Sequence, residues 1–139
     1  MERYLGRLSG PLLDRIDLYV DVPPLEYEEL SRRGQSESSA AIRRRVDAAR
    51  AVQAARFGPD GPACNARMGP AELQACCTLD EDCRAVMKGA YERMGLTARS
   101  HDRILRVART IADLEGGGPI QVSHLAEAIQ YRAGGPFQR

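Results

Sequence analysis

The first apolar pattern of the chain is a two-residue alternation close to its N-terminus. In the segment IDLYVDV the apolar positions are Ile16, Leu18, Val20 and Val22. Such an alternation predicts a β-strand with one buried face. Nothing after Glu26 alternates in the same way, and a single strand cannot pair its backbone groups. We therefore expect one strand that belongs to a sheet whose other strands lie outside this chain.

The rest of the chain carries apolar residues at helical spacing. The spacing predicts helices from Ser38 to about Phe57, from Pro70 over a short stretch, from Leu79-Asp80 to Met94, from Ala98 to Glu115, and over residues 124–132. Thr97 and Ser123 are suited to cap the last two, and Gly95 to end the third. The predicted fold class is mainly α, a helical bundle preceded by one strand.

The inner faces of two of these helices follow from the same spacing. On the first helix the predicted inner residues are Ile42, Val46 and Ala49, and on the fourth they are Ile104, Val107, Ala108 and Ile111. The opposite face of the fourth helix carries Arg99, Arg103 and Arg106. A solvated charged face is one interpretation, with contacts of Arg106 to Asp102 and of Arg109 to Asp113.

Arg99 and Arg15 are harder to explain as ordinary surface residues. Arg99 stands in the first turn of its helix, where the helix dipole disfavours a cation and favours an anion. An anion beside it would explain its position. Arg15 lies between Asp14 and Asp17, where a local ion pair would be worth at most about 1 kcal/mol.

Composition and charge exclude several classes of protein. The net charge of the 139 residues is +1, so no strongly basic field indicates a nucleic-acid binder. The sequence has no run of 18 apolar residues and no signal-peptide pattern, so we expect a cytoplasmic protein without membrane contact. It also has no glycine-rich phosphate loop and no Ser/His/Asp set, so catalysis by this chain alone is not expected.

The cysteines do not have the spacing of a metal site. They stand at positions 64, 76, 77 and 83, without a CxxC pair, and His101 and His124 complete no ligand pattern. We expect free thiols, buried or partly exposed, and no metal.

Four segments together resemble a known family. They are SGPLLDRIDLYVDVP, GQSESSAAIRRRVDAARAVQAARF, LTARSHDRILRVARTIADLEG and IQVSHLAEAIQYR. In content, order and spacing they are similar to the C-terminal part of the magnesium-chelatase-like AAA+ ATPases of the competence protein M type. The most distinctive part is RVARTIADL followed by HLAEAIQYR.

The resemblance implies a domain organisation and two site residues. It implies that residues 1–25 end the ATPase core, 26–37 form a linker, 38–133 form a helical lid and 134–139 are a disordered tail. It implies that Arg15, in LLDRID, is an arginine finger acting on a neighbouring subunit. It likewise implies that Arg99, in TARSHDR, is the sensor-2 residue that binds nucleotide.

The function implied by the resemblance is that of an ATPase motor. ATP and Mg²⁺ would be bound by the full-length protein, whereas this chain lacks the Walker A and Walker B motifs and is expected to bind neither and to be monomeric alone. Expected partners are neighbouring subunits of a homo-oligomeric ring, a hexamer, and DNA during branch migration in recombination or transformation. Two alternatives stay open: the motor of a magnesium chelatase acting on a tetrapyrrole, and a helical interaction module without a nucleotide role.

Overall fold

The described part of the chain is an assembly of α-helices. The computed structural model describes residues 15–24 and 37–133. Within these ranges the helices are α1 Ser39–Phe57, α2 Pro70–Cys76, α3 Glu81–Met94, α4 Ala98–Leu114 and α5 Val122–Ala133, with a 3-10 turn at Asn65–Arg67. The mainly helical fold class is confirmed.

Helix α4 is the centre of the bundle. It packs against α1, α2, the 3-10 turn and α5, and α3 packs against α5. The predicted inner residues of α4 lie in the core, Ile104, Ala108 and Ile111 buried and Val107 half-buried. Leu125 of α5 and Cys83 of α3 are fully buried beside them.

Local capping explains where most helices begin and end. The Ser38 side chain accepts a hydrogen bond from the Ala41 N–H, and Thr97 accepts one from the Ser100 N–H. Gly95 has φ 59° and ψ 41°, the left-handed conformation that glycine adopts without strain, and it ends α3 as predicted.

The start of α5 differs from the prediction. The helix begins at Val122, so Ser123 lies within it and is not its cap. Instead the Gln121 N–H donates to His124 Nδ1 at 3.0 Å, and His124 Nε2 lies 2.8 Å from Glu115 Oε2. The buried imidazole therefore stabilises the start of α5 from the third helical position, by accepting a hydrogen bond from the N–H of the residue that precedes the helix.

The predicted strand is wrong as a structural element of this chain. Residues 16–24 follow a turn at Arg15 and have no regular secondary structure. Leu18, Val20 and Val22 are 48%, 67% and 79% exposed. The physical reason is that no strand among the described residues pairs with this segment, and an unpaired strand has no ladder to stabilise it.

The predicted domain boundaries stay predictions. Residues 1–14, the predicted linker apart from Glu37, and the predicted disordered tail at 134–139 lie outside the described residues.

Candidate functional site

The arginines of α4 separate into groups with different surroundings. The helix carries them at positions 99, 103, 106 and 109, and the sequence pattern had placed the first three on one solvated face. In the structure three of the four are held by other parts of the chain.

Arg109 lies inside the protein and not on a solvated face. It is 5% exposed; its Nε donates to Asp113 Oδ1 at 3.1 Å, and its Nη2 donates to the Gly118 carbonyl. Asp113 has a fully buried carboxylate that also accepts hydrogen bonds from Arg56 of α1 and, at 2.7 Å, from Asn65 Nδ2. The predicted pair of Arg109 with Asp113 is confirmed, and its role is structural.

The charge state of Asp113 follows from these contacts. Burial by itself raises the pKa of Asp113. Hydrogen bonds from Arg56 and Asn65 and the charge of Arg109 outweigh burial, and they hold the pKa of the carboxyl below its ordinary value. The same contact, a hydrogen bond to Asp113, is the main cause that raises the pKa of Arg56. The ionised carboxylate therefore joins α1, the 3-10 turn and α4.

Arg106 also has a structural partner. Its Nη2 donates to the Met68 carbonyl at 2.8 Å, just before α2. The predicted contact with Asp102 is wrong, since the Asp102 carboxylate lies beside His101, with Oδ1 3.3 Å from Nδ1. Asp102 and Arg106 lie four residues apart on the same face of α4, but the Arg106 side chain is long enough to reach the Met68 carbonyl instead.

Arg103 and Arg132 together hold segment 15–24 against the helical bundle. Arg103 Nε lies 3.0 Å from Asp17 Oδ1, and its Nη1 donates to the Ile16 carbonyl at 3.3 Å. Arg132, at the end of α5, donates from Nη1 to the same carbonyl at 2.7 Å. The sequence analysis missed both roles, because nineteen of the twenty basic residues are arginines and nothing in the pattern distinguishes these two.

Tyr19 makes two further contacts between segment 15–24 and α5. Its backbone N–H donates to the Tyr131 carbonyl at 2.8 Å. Its ring centroid lies 5.7 Å from the Arg132 Cζ, within the range of a cation–π interaction. Arg132 Nη2 also lies 3.3 Å from Ser100 Oγ in the first turn of α4. Segment 15–24 is thus fixed to α4 and α5 together.

Arg99 differs from the other arginines of α4. It is the second residue of the helix, it is exposed, and it makes no hydrogen bond or ion pair with the residues described here. Its guanidinium group therefore stands at the positive end of the helix dipole without an ion-pair partner in the described ranges.

Arg15 is exposed as well, and its predicted local ion pair with Asp17 does not form. Asp17 pairs with Arg103 instead, Asp14 lies outside the described residues, and Arg15 has no partner within 15–24 and 37–133. The neighbouring Ile16 carbonyl is bound by Arg103, which follows Arg99 by about one turn of α4. Both arginines therefore lie toward the N-terminal end of α4.

The cysteines are all free thiols. Cys77 and Cys83 are buried, Cys64 and Cys76 are half-buried, and burial raises the pKa of the Cys77 and Cys83 thiols to about 11. Such thiols stay protonated at neutral pH and pack like small apolar side chains. Over the described ranges, no three His, Cys, Asp or Glu side chains are grouped so that they could hold a metal ion.

Comparison with known families agrees with the helical architecture. Residues 36–132 match the family described as "Magnesium chelatase, subunit ChlI C-terminal". The chain belongs to this family. Residues 1–30 match a second description, "Magnesium chelatase, subunit ChlI". This chain of the magnesium chelatase family therefore represents the C-terminal region of a magnesium-chelatase-like AAA+ protein.

Several curated proteins are similar over nearly the whole chain. The competence protein ComM of Haemophilus influenzae is 42% identical over 132 residues, which is 94% of this chain and 25% of that protein. The uncharacterized protein YifB is 42% identical in Salmonella typhimurium and 40% in Escherichia coli over the same shares. The chain thus spans about a quarter of the length of these relatives. No helix in the described ranges is long and apolar enough to cross a membrane.

Proposed function

We propose that this chain is the lid and subunit-contact region of an AAA+ ATPase, in which Arg99 binds nucleotide phosphate and Arg15 acts as an arginine finger toward a neighbouring subunit. One observation carries the proposal. Of the four arginines on α4, three are bound by other groups of the chain, and Arg99 has no partner among the described residues.

The chemistry of Arg99 fits a phosphate ligand. A guanidinium group is planar and always charged, and it can donate to two phosphate oxygens at once. The N-terminal end of α4 adds a positive partial charge beside it. The residues described here contribute arginines and no cluster of Mg²⁺ ligands, so the metal-binding carboxylates of the proposed ATPase would lie elsewhere in the full-length protein.

The larger machine that we propose is a homo-oligomeric ring, a hexamer, that remodels DNA by branch migration in recombination or natural transformation. The similarity to a competence protein supports this proposal. A second candidate is the ATPase motor of a magnesium chelatase acting on a tetrapyrrole, which the family description favours. Salt-dependent, ATP-driven strand exchange by the full-length protein would support the first, and metal insertion into a porphyrin with partner subunits would support the second.

Substitution of Arg99 in the full-length protein tests the nucleotide contact. Arg99→Ala should lower ATP affinity or turnover by about 10- to 100-fold, since a charged hydrogen bond is worth about 1.5–3 kcal/mol. Arg99→Lys should restore only part of the loss, because lysine lacks the bidentate fork. The thermal midpoint should not change in either variant, since the side chain is exposed.

Arg44→Ala is the matched control, because Arg44 is exposed on α1 and has no partner among the described residues. It should leave affinity and turnover at the parent values. If both Arg99 variants also keep the parent affinity and turnover, the nucleotide contact is wrong, and the chain is better explained as an interaction module.

A further inference from the structure

We propose that Arg103 and Arg132 form a clamp that sets the position of Arg15 relative to the helix that carries Arg99. The inference rests on the proposed function, because it assumes that Arg15 acts on nucleotide. It adds two positioning residues, neither of which touches the nucleotide, and a mechanical link between the two proposed contacts.

The clamp consists of two guanidinium groups that converge on one carbonyl oxygen. Ile16 O accepts a hydrogen bond from Arg132 Nη1 at 2.7 Å and another from Arg103 Nη1 at 3.3 Å. A carbonyl oxygen has two lone pairs, so both donors can be satisfied at once. Arg103 is held further by Asp17 at 3.0 Å, and its side chain is only 14% exposed. The peptide between Ile16 and Asp17, one residue after Arg15, is therefore fixed.

A second anchor prevents the segment from pivoting about that carbonyl. Three residues later the Tyr19 N–H donates to the Tyr131 carbonyl at 2.8 Å, and the Tyr19 ring packs against the Arg132 guanidinium. Two backbone contacts on one short segment fix its direction as well as its location. The Arg15 side chain itself stays exposed and makes no hydrogen bond or ion pair with the described residues.

The clamp also connects this segment to the proposed nucleotide contact. Arg103 and Arg99 stand on the same helix about one turn apart, and Arg132 lies 3.3 Å from Ser100 Oγ, next to Arg99. Because α4 is rigid, Arg99 and Arg103 move together when the helix moves. A shift of α4 when Arg99 binds nucleotide would therefore move Arg15 as well. This movement would couple the lid of one subunit to the nucleotide site of the neighbouring subunit, on which Arg15 is proposed to act.

The test is a mutant cycle in the full-length protein, with steady-state turnover and ATP affinity measured for each variant. Arg103→Gln with Arg132→Gln should lower turnover by about 10- to 100-fold, since a misplacement of about 1 Å can cost about 100-fold. ATP affinity should change by less than about 3-fold, which separates this effect from loss of the Arg99 contact. Adding Arg15→Ala to the pair should lower turnover no further than Arg15→Ala alone, because the clamp acts only through Arg15.

Arg45→Gln is the control, because within the part of the chain that the structure describes Arg45 forms only an exposed ion pair, with Glu37. It should retain the parent turnover. If the double variant does not fold, Arg103→Gln alone completes the cycle, since it removes one of the two donors to Ile16 and the Asp17 pair.

The outcomes separate the clamp from the proposed function. If Arg15→Ala keeps the parent rate, the finger assignment is wrong and the clamp is wrong with it. If Arg15→Ala is slow but the clamp variants are not, only the clamp is overturned. If the losses multiply in the triple variant, Arg103 and Arg132 contribute general stability and do not position Arg15.

Discussion

At the scale of single residues, Asp113 holds together parts of the chain that are far apart in sequence. Its buried carboxylate accepts hydrogen bonds from Arg56 on α1, Asn65 in the 3-10 turn and Arg109 on its own helix. A buried charge is tolerated only when it is paired and hydrogen-bonded, and these three donors meet that condition. The network fixes α1 and the 3-10 turn on α4.

We predict that Asp113→Asn strongly destabilises the chain. The amide keeps the shape of the carboxylate but leaves the buried Arg109 guanidinium without its charge partner, which costs about 3–5 kcal/mol. The pKa of Asp113 in the folded state is below its ordinary value of 3.8. Its contribution is therefore complete above pH 3.8 and is lost as the pH falls through the folded-state pKa.

Chemical unfolding at several pH values measures this effect. The stability difference between parent and Asp113→Asn should be largest at neutral pH and should shrink below pH 4. The exposed Asp47 offers a control, and Asp47→Asn should change the free energy of unfolding by less than about 0.5 kcal/mol. A difference that stayed constant from pH 7 to pH 3 would contradict the ionised, charge-paired carboxylate.

The sequence could predict the spacing of Arg109 and Asp113 but not their burial. Helical geometry brings residues four apart together whatever surrounds them. The burial of the Asp113 carboxylate depends on Arg56 and Asn65, which come from other elements and donate the remaining hydrogen bonds to it. For the same reason the exposed Arg99 could be selected from its helix position, whereas Arg103 and Arg132 could not, since their acceptors lie more than 80 residues away.

At the scale of elements, α1 shows how far a helical pattern predicts packing. The predicted extent, Ser38 to about Phe57, is confirmed, and the structure shows Ser38 as the N-cap. Only Ala49 and Gln53 of this helix are buried, however, while Ile42 and Val46 are 43% and 45% exposed. The apolar stripe continues beyond the part of α1 that packs on α4. Periodicity gives the face of a helix but not the length over which another element covers it.

We predict that Ile42 and Val46 contribute little to the stability of this chain. Because both side chains are nearly half exposed, Ile42→Ala combined with Val46→Ala should lower the free energy of unfolding by less than about 1.5 kcal/mol. Leu125→Ala, at a fully buried position of α5, is the comparison and should cost about 2–5 kcal/mol. Denaturant unfolding of the three proteins measures both values, and a loss above about 2 kcal/mol for the α1 pair would show that this stripe is covered.

At the scale of the whole molecule, segment 15–24 packs as part of the helical bundle. Its alternating pattern predicted a strand, but its contacts within the described chain are with α4 and α5. A sequence pattern reports which side of a segment prefers burial, whereas a strand also needs a partner strand. This docking places an exposed Arg15 on the lid, where its side chain is available to another subunit of the proposed ring.

The final prediction separates a finger that acts on a neighbouring subunit from a local surface role. In the full-length protein, Arg15→Ala should leave ATP binding nearly unchanged and lower turnover by at least about 100-fold, because an arginine finger acts mainly in the transition state. Mixing this variant with one whose phosphate loop is disabled should restore part of the activity, since an intact loop can then adjoin an intact finger. Each variant alone is the control. Arg15→Ala that assembles normally and hydrolyses ATP at the parent rate would rule out the finger, and a slow variant that mixing does not restore would rule out action between subunits.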